Sequence, residues 1–145
     1  MYNRYLITGA TGFLGRTVVE KLVRRNVRVD ALVLHNDPYA ALLPGEVHAV
    51  VGDVCEDASL EQFFADTDDK TCVIHCAGII SVASRSGSKL YQVNIGGTCK
   101  VVRQCLEHHI GKMIYVSSVH AIPEKPKNCV ITEDCEFSPG LVDGD

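Results

Sequence analysis

The fold is decided by the stretch Tyr5-Leu6-Ile7-Thr8-Gly9-Ala10-Thr11-Gly12-Phe13-Leu14-Gly15. It contains a short apolar run, a turn punctuated by glycines, and the start of a segment in which Leu14, Val18 and Leu22 recur at every fourth position. This spacing predicts the order strand, tight turn, helix. The first N–H groups of such a helix have no partner within the helix. Together with the helix dipole they favour an anion, and a diphosphate is the usual one.

Each glycine of the turn has a separate expected role. Gly9 allows a sharp turn, Gly12 leaves room for a phosphate, and Gly15 lets the helix approach the strand closely. The alternative is that the glycines serve packing only. A nucleoside triphosphate site of the P-loop type is not indicated, because no Gly-Lys-Ser/Thr follows the turn.

The same stretch resembles the Thr-Gly-x-x-Gly-x-x-Gly fingerprint of the short-chain dehydrogenase/reductase superfamily. The resemblance is to its extended branch, which includes epimerases/dehydratases, dihydroflavonol reductases and sterol dehydrogenases. It implies a domain that binds NAD or NADP, and covers the whole chain but only the first half of the usual length of the family. The residues of the turn that it assigns to the cofactor are Gly9, Ala10, Thr11, Gly12, Phe13, Leu14 and Gly15.

Short apolar runs alternate with helical patterns along the rest of the chain. The strands after the first are predicted at 27–34, 47–51, 71–75 and 112–117, and the helices at 16–25, 59–65 and 88–108. This alternation predicts an α/β fold: a Rossmann-type doubly wound parallel sheet of about five strands, incomplete at its C-terminal side. We expect one domain, residues 1–145. Four polar residues that follow strands should meet at one edge of this sheet: Thr8, Asp53, His75 and Ser117.

The choice between NAD and NADP depends on the end of the second strand. An acidic residue there binds the ribose 2′-hydroxyl, and a basic residue suits a 2′-phosphate. The chain has Val33-Leu34-His35-Asn36-Asp37, with neither type at the strand end itself. NAD and NADP therefore both stay open. His35 is a candidate ribose contact, with a plain turn residue as the alternative.

Two further segments carry cofactor roles by resemblance. Gly52-Asp53-Val54 is similar to the Gly-Asp-Val/Leu segment of the superfamily, which implies that Asp53 contacts the adenine amino group and that Val54 belongs to the cofactor site. His75-Cys76-Ala77-Gly78 resembles the segment after the fourth strand whose small residues line the cofactor. Cys76 departs from the usual residue but is small.

Asn94 falls within the apolar stripe of the long helix, where a buried amide needs hydrogen-bond partners. It could simply tie helix to sheet. Val93-Asn94-Ile95-Gly96-Gly97-Thr98 also resembles a superfamily segment whose asparagine supports the active site and the cofactor, through a distorted backbone and a water-linked proton path. By the same resemblance Ser118 is the catalytic hydroxyl that binds the substrate oxygen, and Ser117 is the alternative.

The superfamily's proton-exchanging Tyr-x-x-x-Lys is absent from the sequence. None of Tyr2, Tyr5, Tyr39, Tyr91 and Tyr115 has a lysine four residues later. We therefore expect a truncated, inactive part of an NAD(P)-dependent oxidoreductase or epimerase acting on a hydroxyl or carbonyl of a small molecule. The alternatives are a complete, non-catalytic dinucleotide-sensing protein and a structural role in oligomers.

Composition restricts the partners. The net charge of −4 does not favour nucleic acid, and no apolar run is long enough to span a membrane, so a cytoplasmic protein is expected. The seven cysteines include no Cys-x-x-Cys pair and are predicted to be core residues in a reducing compartment, with no metal site. Because the incomplete sheet leaves apolar surface uncovered, we expect a homo-oligomer.

Overall fold

The computed structural model describes residues 2–80, 87–118, 122 and 129–135. The chain divides into two compact units, Met1–Tyr115 and Val116–Asp145. All helices and strands of the described residues belong to the first unit. In the second unit the described residues include a turn in which the Cys135 amide donates to the Thr132 carbonyl at 3.1 Å.

The first unit alternates strands and helices. The strands are β1 (Arg4–Thr8), β2 (Arg28–Val33), β3 (His48–Val51), β4 (Thr71–His75) and β5 (Lys112–Tyr115). The α-helices are α1 (Phe13–Val23), α2 (Asp57–Phe63), α3 (Ser88–Tyr91) and α4 (Thr98–Glu107). A π-helical segment, Gln92–Gly97, joins α3 to α4, and a short 3-10 helix covers Ala40–Leu42.

The five strands form one parallel sheet in the order β3-β2-β1-β4-β5. The order reverses next to β1, because β2 lies on one side of it and β4 on the other. Ligands of such sheets bind at this reversal, outside the carboxyl ends of the strands. The predicted Rossmann-type parallel sheet is therefore confirmed.

Alternate residues of β1, β2 and β4 enter two cores on opposite faces of the sheet. On one face Leu6, Leu32 and Val73 contact a cluster that includes residues of α2 and α4. On the other face Ile7, Ala31 and Ile74 join a cluster with residues of α1. This two-sided burial explains the nearly continuous apolar runs of the strands, since each fully buried Val, Leu or Ile contributes roughly 1.5–3 kcal/mol.

The cysteine prediction holds only in part. Cys72 and Cys105 are buried within the two cores, as expected of small apolar side chains. Cys99 and Cys129 are exposed, so the prediction was wrong for these two residues. Cys99 lies on the solvent side of α4, where the helical period turns it away from Val101 and Cys105.

Element boundaries differ from the predictions where a neighbour sets them. β5 ends at Tyr115 rather than at residue 117, because its partner β4 ends at His75, which pairs with Tyr115. α1 begins at Phe13, three residues before the predicted start. The recurrence of Leu14, Val18 and Leu22 already extends into this first turn, so the predicted start at residue 16 was too late.

A buried ion-pair cluster at the amino ends of the strands was not foreseen. The fully buried Asp30 carboxylate accepts hydrogen bonds from Arg4 Nε at 2.6 Å, His48 Nδ1 at 2.7 Å and Arg28 Nη2 at 3.3 Å. Arg4 also donates to the carbonyls of Ala65 and Asp66 beyond α2. Burial raises the pKa of Asp30, but the hydrogen bonds outweigh it and leave that pKa below the ordinary value.

None of the helices in the described part of the chain has the length and hydropathy needed to cross a bilayer.

Candidate functional site

A cavity of about 430 Å³ opens at the carboxyl ends of the strands, in the first unit. It is lined by the turn after β1 and by segments that follow β2, β3 and β4. Its lining residues are Gly9, Thr11, Gly12, Leu32, Leu34, Asp37, Gly52, Asp53, Val54, Cys76, Ala77, Gly78, Ile79, Lys89 and Val93. It lies where the strand order reverses, which is the predicted position.

The glycine turn forms one wall of the cavity. Gly9 has φ +67°, and a Cβ there would come within 2.6 Å of the Ala77 amide nitrogen. A Cβ at Gly15 would collide with the Gly9 carbonyl oxygen. Gly9 thus allows the predicted sharp turn, and Gly15 allows the predicted close approach of the helix.

The amino end of α1 faces the same turn and fits an anionic group. Gly12 is its N-cap residue, and no side chain among the described residues caps the helix. Its first N–H groups consequently lack the side-chain acceptors that usually occupy them. A diphosphate would supply acceptor oxygens and negative charge at the positive end of the helix dipole.

Asp53 is both a turn residue and a cavity residue. Its Oδ1 accepts a hydrogen bond from the Cys55 amide at 2.9 Å, while the residue lines the cavity beside Gly52. Val54 is buried at 5% exposure and also borders the cavity. A Cβ on Gly97 would meet Val54 Cγ2 at 2.7 Å, so this glycine lets the helical segment approach the loop after β3.

Asn94 holds the loop after β4 by two hydrogen bonds. Its Oδ1 accepts from the Ile79 amide at 2.7 Å, and its Nδ2 donates to the Ile79 carbonyl at 2.9 Å. Asn94 lies within the π-helical segment Gln92–Gly97, a distortion often found at functional sites. The amide side chain therefore does tie the helix to a loop, and the loop is the one that lines the cavity.

A buried polar chain lies beneath this loop. The Thr8 hydroxyl is 2.6 Å from His75 Nδ1, and His75 Nε2 is 2.9 Å from the Thr98 hydroxyl. The Thr8 oxygen also accepts a hydrogen bond from the Ala77 amide at 3.3 Å, and the His75 ring stacks on Tyr115 at 5.7 Å. Burial lowers the pKa of His75 to about 4, so the imidazole is neutral near neutral pH.

Thr8 and His75 lie at the expected edge of the sheet, but neither is among the residues that line the cavity. Thr8 and His75 do end their strands, but both are fully buried and satisfy each other. The reason is their pairing in register, which sets the two side chains side by side within the fold. Ser117 and Ser118 follow β5 in the sequence and belong to the second unit.

The other predicted cofactor residues divide into two groups. Those that line the cavity are Gly9, Thr11, Gly12, Asp53, Val54, Cys76, Ala77 and Gly78. Those outside its lining are Ala10, Phe13, Leu14, Gly15, His35 and Asn94. His35 is exposed, whereas Ala10 is buried behind the turn.

Asp37 lines the cavity, although no role was predicted for it. It lies past the end of β2, so a search of the strand end misses it. The positive φ of Asn36, 59°, turns the chain back before Asp37. Lys89 and Ile79 were also missed, because neither belongs to a recognised motif.

Comparison with known proteins agrees with this geometry. The sequence profile of the 3-beta hydroxysteroid dehydrogenase/isomerase family matches residues 6–138. The human 3 beta-hydroxysteroid dehydrogenase type 7 is 32% identical over 130 residues, which are 85% of this chain and 34% of that protein. The mouse short-chain dehydrogenase/reductase family 42E member 1 is 30% identical over 119 residues, covering 81% of this chain and 30% of that protein.

The fold also matches solved structures. The Thermus thermophilus UDP-glucose 4-epimerase, in complex with NAD, has a TM-score of 0.82 and 23% identity. The match covers 95% of this chain and 45% of the epimerase.

The chain spans about a third of the length of the curated relatives it matches. Its profile match nevertheless covers most of its own residues, including the glycine turn and all the cavity segments. The chain belongs to the 3-beta hydroxysteroid dehydrogenase/isomerase family, within the extended short-chain dehydrogenase/reductase superfamily.

Proposed function

We propose that this chain is the dinucleotide-binding part of an NAD(P)-dependent oxidoreductase or epimerase that acts on a hydroxyl or carbonyl of a small molecule. The observation that carries the proposal is the cavity at the strand reversal, bordered by the glycine turn and open to the uncapped start of α1. When bound, the nicotinamide supplies or accepts a hydride.

Different residues of this chain bind different parts of the cofactor. The turn from Gly9 to Gly15 and the amino end of α1 hold the diphosphate. Asp53, beside the buried Val54, borders the adenine, and Asn94 fixes the loop that supports the cofactor. Cys76, Ala77 and Gly78 allow close approach because their side chains are small or absent.

The substrate proposal rests on the family. Sterol-like alcohols are the substrate class that agrees with a relative named as a 3 beta-hydroxysteroid dehydrogenase. Ser118 would bind the reacting oxygen of the substrate. We also propose that the chain self-associates into a homo-oligomer.

The curated relatives named above are dehydrogenases by name, so neither favours the non-catalytic sensing alternative.

Cofactor binding is tested by titrating NADH and NADPH separately, with nicotinamide fluorescence and the melting temperature as readouts. A ligand at about 100 times its Kd adds about 2.7 kcal/mol to the free energy of unfolding, which raises Tm by several degrees. If neither dinucleotide changes either signal, the proposal is wrong.

A glycine pair provides the matched control. Gly12→Val places a branched side chain in the cavity and should weaken binding by at least about tenfold, since the phosphate loses its close approach to the backbone. Gly45→Val introduces the same group where a Cβ has nothing within 4 Å, and should leave binding unchanged.

Incubation of the chain with NAD and a 3β-hydroxysteroid should give no NADH, because no Tyr-x-x-x-Lys occurs in these 145 residues.

A further inference from the structure

A chain of hydrogen bonds runs from the start of α4, through the inside of the fold, to the wall of the cavity. The Thr98 hydroxyl, in the first residue of α4, is 2.9 Å from His75 Nε2. On the other side of the ring, His75 Nδ1 is 2.6 Å from the Thr8 hydroxyl. The Thr8 oxygen accepts from the amide of Ala77, which lines the cavity. The three side chains of this chain lie outside the lining themselves, so they influence a ligand only through the backbone that they hold.

The position of the Ala77 amide matters because it lies directly against the glycine turn. A Cβ on Gly9 would come within 2.6 Å of the Ala77 nitrogen. Gly9 follows Thr8 in the sequence, so the Thr8 side chain lies where the turn and the loop after β4 meet. A displacement of this amide would therefore shift one wall of the cavity relative to the other.

The surroundings of Thr8 determine which ring nitrogen of His75 carries the proton. Burial lowers the pKa of His75, so the ring is neutral and has one N–H donor and one acceptor nitrogen. If Nδ1 carried the proton, the Thr8 oxygen would accept twice. Its own hydroxyl proton would then have no acceptor among the described residues. Thr8 is fully buried, and a buried donor without a partner is costly.

The opposite arrangement satisfies every buried group of the chain. Thr8 then donates to Nδ1, and the Nε2–H of His75 donates to the Thr98 oxygen. Thr98 is only half-buried, so its own hydroxyl proton can reach water or a carbonyl of the preceding helical turn. The proton of the neutral ring therefore lies on Nε2.

We propose that His75 and Thr98 are positioning residues for the dinucleotide: the His75 ring, as its Nε2–H tautomer, keeps the Thr8 oxygen aimed at the loop amide. Thr98 fixes the ring by accepting from Nε2–H. Asn94, four residues earlier, attaches to the same loop at Ile79, so the helical region holds the cavity wall at two points. This inference rests on the proposed dinucleotide site and adds residues that control it from behind the lining.

The first test measures NADH affinity by nicotinamide fluorescence. Thr98→Val keeps the shape but leaves Nε2–H without its acceptor, and should weaken NADH binding about fivefold, the effect of one ordinary hydrogen bond. Thr98→Ser keeps the hydroxyl and should bind NADH as the wild type does. Thr67→Val is the matched control, because the Thr67 hydroxyl donates to the Phe64 carbonyl at 2.6 Å, outside the cavity lining. It should lower the free energy of unfolding and leave NADH affinity unchanged.

NMR of the wild-type chain tests the position of the proton without any change at Thr98. A nitrogen–proton correlation spectrum should show the bound proton of His75 at Nε2 and not at Nδ1, with the signal assigned by its loss in His75→Gln. A proton on Nδ1, or wild-type NADH affinity in Thr98→Val, overturns the inference while leaving the dinucleotide site intact. Binding of neither NADH nor NADPH to the wild type refutes the site itself, and the inference with it.

Discussion

His75 is a residue that sequence reasoning placed at the ligand edge and that the fold uses internally. Its Nδ1 forms a hydrogen bond with the Thr8 hydroxyl and its Nε2 forms one with the Thr98 hydroxyl. The residue is fully buried. The Ala77 amide is held by the same Thr8 oxygen. A neutral imidazole therefore supports the loop that begins with Cys76 and Ala77 from inside the fold. His75 itself does not line the cavity.

We predict that His75 makes the stability of the chain depend on pH. Its pKa is about 4 in the folded state and ordinarily 6.5, so the unfolded chain binds the extra proton as the pH falls below 6.5. The free energy of unfolding is then fully present above pH 6.5 and decreases down to about pH 4, by a few kcal/mol at about 1.4 kcal/mol per pKa unit.

Urea unfolding of wild type and His75→Gln between pH 4 and pH 7 measures this effect. The variant has no proton to bind at this position, so its stability should change less with pH over this interval. His35→Gln is the control, because His35 is exposed and should leave the wild-type slope unchanged. Equal slopes in wild type and His75→Gln would refute the prediction.

At the scale of elements, the π-helical segment and the loop after β4 act together. Asn94 projects from that segment and binds both backbone groups of Ile79. The helix thereby fixes the start of this loop, whose described residues 76–80 have no secondary structure and mostly line the cavity. A functional role for Asn94 and a structural one are compatible here.

We predict different effects for two substitutions of Asn94. Asn94→Ala leaves both Ile79 groups without a partner and should cost about 1–3 kcal/mol, with faster hydrogen exchange at the Ile79 amide. Asn94→Asp keeps an acceptor for that amide but sets a second oxygen against the Ile79 carbonyl. In this variant the Ile79 amide should stay protected although the protein is destabilised.

Hydrogen exchange by NMR, with urea unfolding alongside, distinguishes the two variants. Gly96→Ala is the control within the same segment, because a Cβ there meets nothing within 4 Å. If Asn94→Ala leaves Ile79 exchange at the wild-type rate, the side chain does not hold the loop.

At the scale of the whole first unit, the two ends of the sheet have different roles. The carboxyl ends form the cavity, while the amino ends carry the buried Asp30 with Arg4, Arg28 and His48. Arg4 links three elements, since it also binds carbonyls after α2. This cluster joins β1, β2 and β3 at the end opposite to the proposed cofactor.

We predict that Asp30→Asn destabilises the folded chain by about 3–5 kcal/mol at pH 7, because it leaves the Arg4 charge, whose side chain is only 11% exposed, without its carboxylate. The pKa of Asp30 is lowered in the folded state, so its contribution is present above the ordinary value of 3.8 and is lost as the pH falls below it. Asp30→Asn should therefore show a smaller acid-induced loss than the wild type.

Denaturant unfolding at neutral and acidic pH measures both effects. Asp57→Asn is the matched control, because Asp57 also pairs with two cations, Lys100 and Arg103, but at the surface. Water already solvates and screens these surface ion pairs, so Asp57→Asn should lower the free energy of unfolding much less than Asp30→Asn. Equal losses for the two variants would show that burial of Asp30 adds nothing.

The sequence by itself determined the strand–turn–helix start, the parallel sheet and the family. These depend on local features of the sequence. Apolar residues recur where strands and helices enter the two cores, and glycines stand where a side chain would collide with neighbouring backbone. Most of the cavity lining was also predictable, because it follows directly from the ends of strands.

Only the tertiary structure decided how residues distant in sequence meet. Asp37 reaches Thr11 because Asn36 turns the chain back, and Asp30 meets Arg4 and His48 because their strands are neighbours. Thr8 and His75 were expected to face a ligand, but their register pairs them inside the fold. Side-chain partners depend on strand order and register, and these arise from packing the whole sheet rather than from any single segment.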